Sequence, residues 1–188
     1  MTVLVVYASK HGATREIAER IAATLTGAGQ PADARRSENA RDLAGYDAFV
    51  IGASAYYGHW LKPAPEFIRA HQPLLADRPV WLFSSGPLGT GTTDAQGHDL
   101  QEAALPKELD ELRDAIRSRG ERVFFGALDP KGLTLPERTV RRMPAGRALL
   151  PEGDFRDWED IDAWAEAIAR ELSAPGPVTP EPSSHVPS

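Results

Sequence analysis

The first fifty residues alternate between short apolar runs and one helical pattern. Thr2–Ala8 is a continuous, β-branched apolar run without polar alternation, which predicts a strand buried on both faces. Apolar side chains then recur at helical spacing over Ala13–Ala28, which predicts a helix. A weak strand over Pro31–Ser37, expected at a sheet edge, and an almost wholly apolar strand over Tyr46–Ala53 complete this part.

The same alternation continues further along the chain. A helix opened by proline is predicted over Pro63–Leu75, followed by a buried strand over Pro79–Ser84. A second helix with proline in its first turn is predicted over Pro106–Arg119, and an apolar strand over Arg122–Leu128. The last helix, Asp157–Leu172, carries a strong apolar stripe along one face.

Strands that alternate with helices favour right-handed crossover connections and a parallel sheet with helices on both faces. We therefore expect one α/β domain over residues 1–172. Residues 173–188 are rich in proline and serine and have no apolar periodicity, so we expect a disordered tail there.

Composition and charge exclude several classes of function. The 188 residues include 21 Lys and Arg against 27 Asp and Glu, a net charge of −6, and no cysteine. The absence of cysteine excludes disulfides, thiolate metal sites and cysteine nucleophiles. Net negative charge argues against nucleic acid as a partner. No apolar run approaches the roughly 20 residues of a membrane span, and no signal segment is recognisable, so we expect a cytoplasmic protein.

Three loops follow the carboxyl ends of the predicted strands, where ligands bind in open α/β sheets. They are Ser9–Thr14, Ser54–Trp60 and Ser84–Gly97. All three carry small, hydroxyl or aromatic residues. We therefore expect the chemistry of this protein at that edge of the sheet.

The first loop, Ser9–Thr14, leads directly into a helix. Free backbone N–H groups and the helix dipole favour an anion there, and Ser9 and Thr14 add hydroxyl donors. The alternative is a simple strand-to-helix turn with Thr14 as a cap. The sequence lacks both the Walker A pattern and the dinucleotide-binding glycine fingerprint.

The other two loops suggest a flat ligand. The loop Ser54–Trp60 contains three aromatic residues, Tyr56, Tyr57 and Trp60, and such side chains are costly to expose. The alternative is that they pack on Phe67 and its helix. The glycine-rich loop that begins at Ser84 offers backbone donors close to a strand end, although it could also be a plain linker.

Three motifs carry a resemblance to a known family. They are Gly12–Ala18 at the first helix start, Val50–Ser54 running on to Tyr57–His59, and Asp157–Glu159 at the last helix start. With these motifs, residues 1–172 resemble the flavodoxin superfamily, and within it flavodoxin-domain proteins of the menaquinone-dependent protoporphyrinogen oxidase type. The resemblance implies a flavodoxin-like three-layer α/β/α sandwich with a five-stranded parallel sheet in the order 2-1-3-4-5.

The resemblance also implies non-covalently bound FMN. The first loop would hold the phosphate, the second would flank the isoalloxazine ring, and the third would contact its pyrimidine end through main-chain N–H groups. The cofactor-binding residues expected on this basis are Ser9, Lys10, His11, Gly12, Ala13, Thr14, Ser54, Ala55, Tyr56, Tyr57, Gly58, Ser84, Ser85, Gly86, Pro87, Leu88 and Gly89.

Two functions remain open. One is an FMN-dependent oxidoreductase that passes electrons to or from a small acceptor such as a quinone or porphyrinogen. The other is an electron carrier whose partner is another redox protein.

His59 could shuttle a proton beside the ring or be a surface residue. A homodimer is left open, and no metal site is expected because the histidines lack ligand spacing.

An arginine-rich stretch precedes the last helix. It could dock an acidic substrate or partner, or be a solvated loop; its arginines are Arg138, Arg141, Arg142 and Arg147.

Overall fold

The computed structural model describes residues 1–56, 58–86, 105–130, 133–143 and 152–174, without the side chains of Tyr56 and Val140. Its centre is a parallel sheet whose strands lie in the order β2-β1-β3-β5-β6. Their bounds are β1 Val3–Ala8, β2 Ala32–Arg36, β3 Ala48–Tyr56, β5 Val80–Ser85 and β6 Gly120–Phe124. The expected order 2-1-3-4-5 is thereby confirmed. The numbers differ only because a two-residue strand, β4 (His59–Trp60), pairs antiparallel with the end of β3.

Six α-helices are described, besides two short 3-10 helices at Ser37–Asn39 and Leu43–Gly45. They are α1 Ala13–Gly27, α2 Pro63–Ala70, α3 Gln72–Ala76, α4 Leu109–Ile116, α5 Leu135–Arg142 and α6 Trp158–Ser173. Helix α6 starts where the sequence predicts. The Asp157 side chain caps it by accepting from the amides of Glu159 and Asp160.

The sheet separates two hydrophobic cores. Successive residues of a strand point to opposite faces, so Val3 and Val5 of β1 pack with α1 and α6, whereas Leu4 and Val6 pack with α2, α3 and α4. All four of these side chains are fully buried. The continuous apolar runs of the sequence therefore arise from burial on both faces, and the three-layer α/β/α sandwich is confirmed.

A close approach in the middle of the sheet requires glycine. A Cβ atom on Gly52 of β3 would lie 2.2 Å from ring carbons of Phe83 on the neighbouring strand β5. The Phe83 ring thus lies over the bare backbone of Gly52, where any larger residue would displace it.

Two predicted strand ends were placed too early. Strand β3 continues to Tyr56 and β5 continues to Ser85. Ser54, Ala55 and Ser85 are therefore strand residues, and the expected loop Ser54–Trp60 is a hairpin between β3 and β4. Small and hydroxyl residues hid this extension, because they resemble loop residues in composition.

Two predicted helices are shorter than expected. The single helix expected over Pro63–Leu75 is divided into α2 and α3 at His71, because Pro73 has no N–H to continue the hydrogen-bond ladder. The helix expected over Pro106–Arg119 occupies Leu109–Ile116 and ends at Arg117, which has a positive φ of 52°.

The region after β6 differs most from the prediction. The strand expected over Arg122–Leu128 ends at Phe124, and residues Ala127–Leu128 (β7) turn away to pair with Gly153–Asp154 (β8). The arginine-rich stretch, expected as irregular, contains helix α5. The larger part of the predicted tail, residues 175–188, lies outside the described residues.

Candidate functional site

The carboxyl ends of β1, β3 and β5 meet at one edge of the sheet, here called the rim. Parallel pairing places Ala8 beside Ala53 and Ser54 beside Ser85. The chain segments that continue from these three strand ends are the three predicted at the sequence level. The rim therefore brings together predicted site residues from all three segments, among those that the structure describes.

The first turn of α1 faces the rim with uncapped amides. Gly12, the N-cap residue, has no side chain to cap the helix and holds a positive φ of 96° that other residues rarely adopt. Its own N–H donates to Ser9 Oγ over 3.1 Å, which closes the turn. Backbone donors and the positive end of the helix dipole are both suited to an anion.

Two buried hydroxyls join α1 to β3. Thr14 Oγ1 and Ser54 Oγ lie 2.6 Å apart, and both residues are buried. Only one hydrogen is shared between the two oxygens, so the other hydroxyl hydrogen can point toward a ligand.

Predicted residues from all three segments line a small cleft at the rim: His11, Ala13, Thr14, Ser54, Ala55, Ser85 and Gly86. Its volume is about 60 Å³. Small-molecule sites usually measure roughly 300–1,000 Å³, so the cleft has room for a group of the size of phosphate and not for a whole nucleotide. Tyr57, Pro87, Leu88 and Gly89, expected to face the ring, lie outside the described residues, as does the side chain of Tyr56.

Two residues that precede α4, Lys107 and Glu108, form hydrogen bonds with the β3–β4 hairpin. Gly58, at φ 74°, accepts a hydrogen bond at its carbonyl from the Lys107 amide over 2.9 Å. One carboxylate oxygen of Glu108 accepts from the Trp60 amide over 2.9 Å, and the other lies 3.0 Å from His59 Nδ1.

Burial raises the pKa of Glu108, but hydrogen bonds from its own backbone amide, from Trp60 and from His59 lower it by more. The pKa of Glu108 therefore lies below its ordinary value. Above that pKa the carboxylate is charged and fixes the hairpin in place.

Trp60 packs inside the protein, as the alternative for this segment stated. It is 3% exposed, belongs to the same core as Phe67, and its indole Nε1 donates to Ser84 Oγ over 2.8 Å. The Ser84 side chain is thereby used within the protein. His59, in contrast, has 57% of its side chain exposed.

Glu137 of α5 reaches back to the first loop. Its Oε1 lies 2.5 Å from Lys10 Nζ and 3.3 Å from His11 Nε2, and it also lines the cleft. Burial raises the pKa of Glu137, but Lys10, the amide and hydroxyl of Thr134, and His11 together lower it to about 2. A carboxylate that is charged at neutral pH thus lies against two residues expected to bind phosphate.

Sequence reasoning missed Glu108 and Glu137. Glu108 lies 49 residues from His59, and Glu137 lies 127 residues from Lys10, so no local pattern reveals these contacts. A signal for the second did exist: Thr134 and Glu137 match the capping-box pattern that opens helices. One half of this pattern is formed, because Glu137 Oε2 accepts from the amide of Thr134, and it accepts from the Thr134 hydroxyl as well.

A larger open groove, of about 700 Å³, lies between the carboxyl-terminal end of α1 and helix α6. Its lining mixes small residues with Asp162, Glu166 and Arg170. It lies away from the carboxyl ends of the strands, where ligands bind in this architecture.

Among the described residues, no three His, Asp or Glu side chains are grouped to hold a metal ion. Over the same ranges, no helix has the length and apolar character needed to cross a bilayer.

Comparison with known proteins agrees with the fold. A family model described as a flavodoxin domain matches residues 4–146. The protoporphyrinogen IX dehydrogenase (quinone) of Escherichia coli K12 is 34% identical over 86 residues, which cover 45% of this chain and 48% of that protein. This chain therefore spans about half the length of the curated relatives that it matches.

Solved structures are similar at lower identity and show the fold alone. A flavodoxin from the domain Archaea aligns with a TM-score of 0.58 and 16% identity, over 93% of this chain and 100% of that chain. Rubredoxin oxygen:oxidoreductase from Desulfovibrio gigas aligns with a TM-score of 0.55 and 14% identity, over 92% and 37% respectively. Because the family model covers most of the domain that these elements build, the chain belongs to the flavodoxin domain family.

Proposed function

We propose that this chain binds FMN at the rim and is an oxidoreductase that passes electrons to or from a small acceptor such as a quinone or porphyrinogen. The observation that carries the proposal is the meeting of uncapped α1 amides with the Thr14 and Ser54 hydroxyls in one phosphate-sized cleft. In a flavodoxin-domain chain, that set of donors suits the phosphate of a flavin nucleotide.

The donor groups at the rim match the chemistry of a phosphate. A phosphate needs N–H and O–H donors and positive charge, and the cleft and first loop supply backbone amides, two hydroxyls, Lys10 and His11. FMN, when bound, supplies reversible two-electron or one-electron transfer. The protein would hold the phosphate through these residues and place the ring near the β3–β4 hairpin.

The sequence relationship to protoporphyrinogen IX dehydrogenase (quinone) favours an enzyme over a carrier. The electron-carrier alternative is favoured by the net charge of −6, which suits docking on a basic redox protein. Both functions need the same cofactor, so they differ in the acceptor.

The first experiment tests the cofactor. The purified full chain is stripped of bound flavin, and its affinities for FMN and riboflavin are measured by quenching of flavin fluorescence. We expect FMN to bind at least tenfold more tightly, because only FMN carries the phosphate that the rim donors would contact. Equal affinities, or no binding of either flavin, would contradict the proposal.

The second experiment separates the two functions. The FMN-loaded protein is given reduced nicotinamide and a short-chain quinone, and quinone reduction is followed at substrate saturation. Sustained turnover supports the oxidoreductase. Reduction of FMN by a reductase with electron delivery only to a redox protein supports the carrier and excludes the enzyme.

A further inference from the structure

Both carboxylate oxygens of Glu137 are engaged, and they face in two directions. Oε2 accepts from the Thr134 amide and hydroxyl, each over 2.8 Å, which caps the start of α5. Oε1 contacts Lys10 and His11 in the first loop. One side chain therefore joins the amino-terminal end of α5 to the loop that precedes α1.

This contact puts a negative charge where the cofactor phosphate is expected. Lys10 and His11 belong to the predicted phosphate loop, and the His11 side chain is only 9% exposed. Glu137 lines the same cleft as Thr14 and Ser54. An incoming phosphate would meet a carboxylate already bound to the Lys10 ammonium and the His11 ring, the two groups expected to contact it.

We propose that Glu137 is an internal anion that competes with the FMN phosphate for Lys10 and His11, and so limits how strongly this chain prefers FMN to an unphosphorylated flavin. The inference rests on the proposed function, since it takes Lys10 and His11 as part of the FMN site. Binding of the phosphate requires Glu137 Oε1 to leave these two residues, while Oε2 can keep its hydrogen bonds to Thr134.

The low pKa of Glu137 supports this role, because the carboxylate is ionised throughout the neutral range. Like charges brought close together in a partly buried site repel, and that repulsion weakens binding of the incoming anion. An uncharged flavin ring would not be affected.

The substitution Glu137→Gln removes the charge and keeps the helix cap, because glutamine also serves at this position of a capping box. We expect FMN affinity to rise by about tenfold, the scale of one hydrogen bond to a charged group, while riboflavin affinity stays unchanged. Both affinities are measured by flavin fluorescence on the full chain.

A matched control is available close by. Glu152 pairs with Arg141 of α5 and is 63% exposed, so Glu152→Gln removes one charge beside α5 without touching the first loop. We expect it to leave both affinities unchanged. The proposal is overturned if Glu137→Gln leaves FMN affinity unchanged or lowers it, if it raises the affinities for both flavins equally, or if Glu152→Gln has the same effect.

Failure of the proposed function is distinguished by a second probe. Inorganic phosphate is titrated into both proteins while the His11 ring resonances are followed by NMR. If neither flavin binds the wild type, the FMN proposal fails; the competition then stands only if phosphate shifts His11 at a lower concentration in Glu137→Gln. Equal phosphate titrations in the two proteins overturn it.

Discussion

Thr14 Oγ1 lies 2.6 Å from Ser54 Oγ, so the first turn of α1 and the carboxyl end of β3 share a buried hydrogen bond. The two residues are 40 positions apart in the sequence and come from two different predicted loops. Their contact fixes the helix start against the strand end, which holds the amide donors of α1 over the cleft.

Replacement of Thr14 by valine tests whether this hydroxyl serves the cofactor. We expect Thr14→Val to weaken FMN binding by about 1–2 kcal/mol, because a hydrogen bond to the phosphate is lost. The measurement is a fluorescence titration with FMN.

The control is Thr24→Val, at the other end of α1. That hydroxyl also forms a hydrogen bond, 2.7 Å from Asp162, but far from the rim. The control should lose stability and keep FMN affinity. Unchanged affinity in folded Thr14→Val would mean that the hydroxyl does not contact the phosphate.

Glu108 should stabilise the β3–β4 hairpin. We expect Glu108→Ala to lower the free energy of unfolding by about 1–3 kcal/mol, because the Trp60 amide loses its carboxylate partner. Urea denaturation measures the change.

Glu111→Ala is the control, because Glu111 lies three residues after Glu108, in the first turn of α4. Its carboxylate is 66% exposed and pairs with Arg69 on the surface, so we expect a cost of about 1 kcal/mol or less. Equal costs for the two variants would show that Glu108 does not hold the hairpin.

The pKa of Glu137 makes part of the stability depend on pH. Its folded value of about 2 lies below the ordinary 4.5, so the unfolded chain binds the proton more readily. The stabilisation is then complete above about pH 4.5 and is lost as the pH falls toward 2.

The difference in unfolding free energy between wild type and Glu137→Gln should accordingly be constant from pH 5 to 7 and shrink between about pH 4.5 and 2. Urea denaturation across this range measures it. A difference that stays the same down to the lowest pH would disprove the contact between Glu137 and the first loop.

Gly52 should tolerate no side chain while Phe83 is present. Gly52→Ala would place a Cβ 2.2 Å from the Phe83 ring, and we expect a loss of about 1–3 kcal/mol from overpacking. Urea denaturation of the variant gives the value.

Two further variants complete this test. Gly45→Ala meets nothing within 4 Å and should change stability little. Adding Phe83→Leu to Gly52→Ala should cost less than the sum of the two single changes, since the smaller side chain removes the clash. Strict additivity would show that the ring is not the cause.

The sheet could be predicted because parallel strands that are buried on both faces occur in the sequence as unbroken apolar runs. Val3–Val6 and Phe49–Ile51 are unbroken apolar runs, and each is fully buried. The order of the strands came from the family resemblance. The divided helix at His71 was missed because the apolar stripe continues across Pro73, although the backbone ladder does not.

The site was predictable only in part, for a different reason. Ser9–Thr14 and Ser54 could be placed because a strand end positions the residues that follow it. Glu108 and Glu137 could not be placed in the site, since the hairpin and loop residues that they contact are far away in the sequence and come close only in the folded chain. Helix α5 was not predicted because a proline, Pro136, interrupts its sequence, although that proline stands in the first turn, where it is tolerated.

The alternation of β1 between two cores also bears on how this edge of the molecule can vary. Inserting or deleting one residue within β1 would move the side chains that follow it from one face of the sheet to the other. The packing of both cores would then be disrupted. Both cores therefore hold the register of this strand, so a change in chain length is better tolerated in a connection than within β1. We expect new ligand preferences to arise from changes in the connections that follow the strands, because such changes leave the scaffold in place.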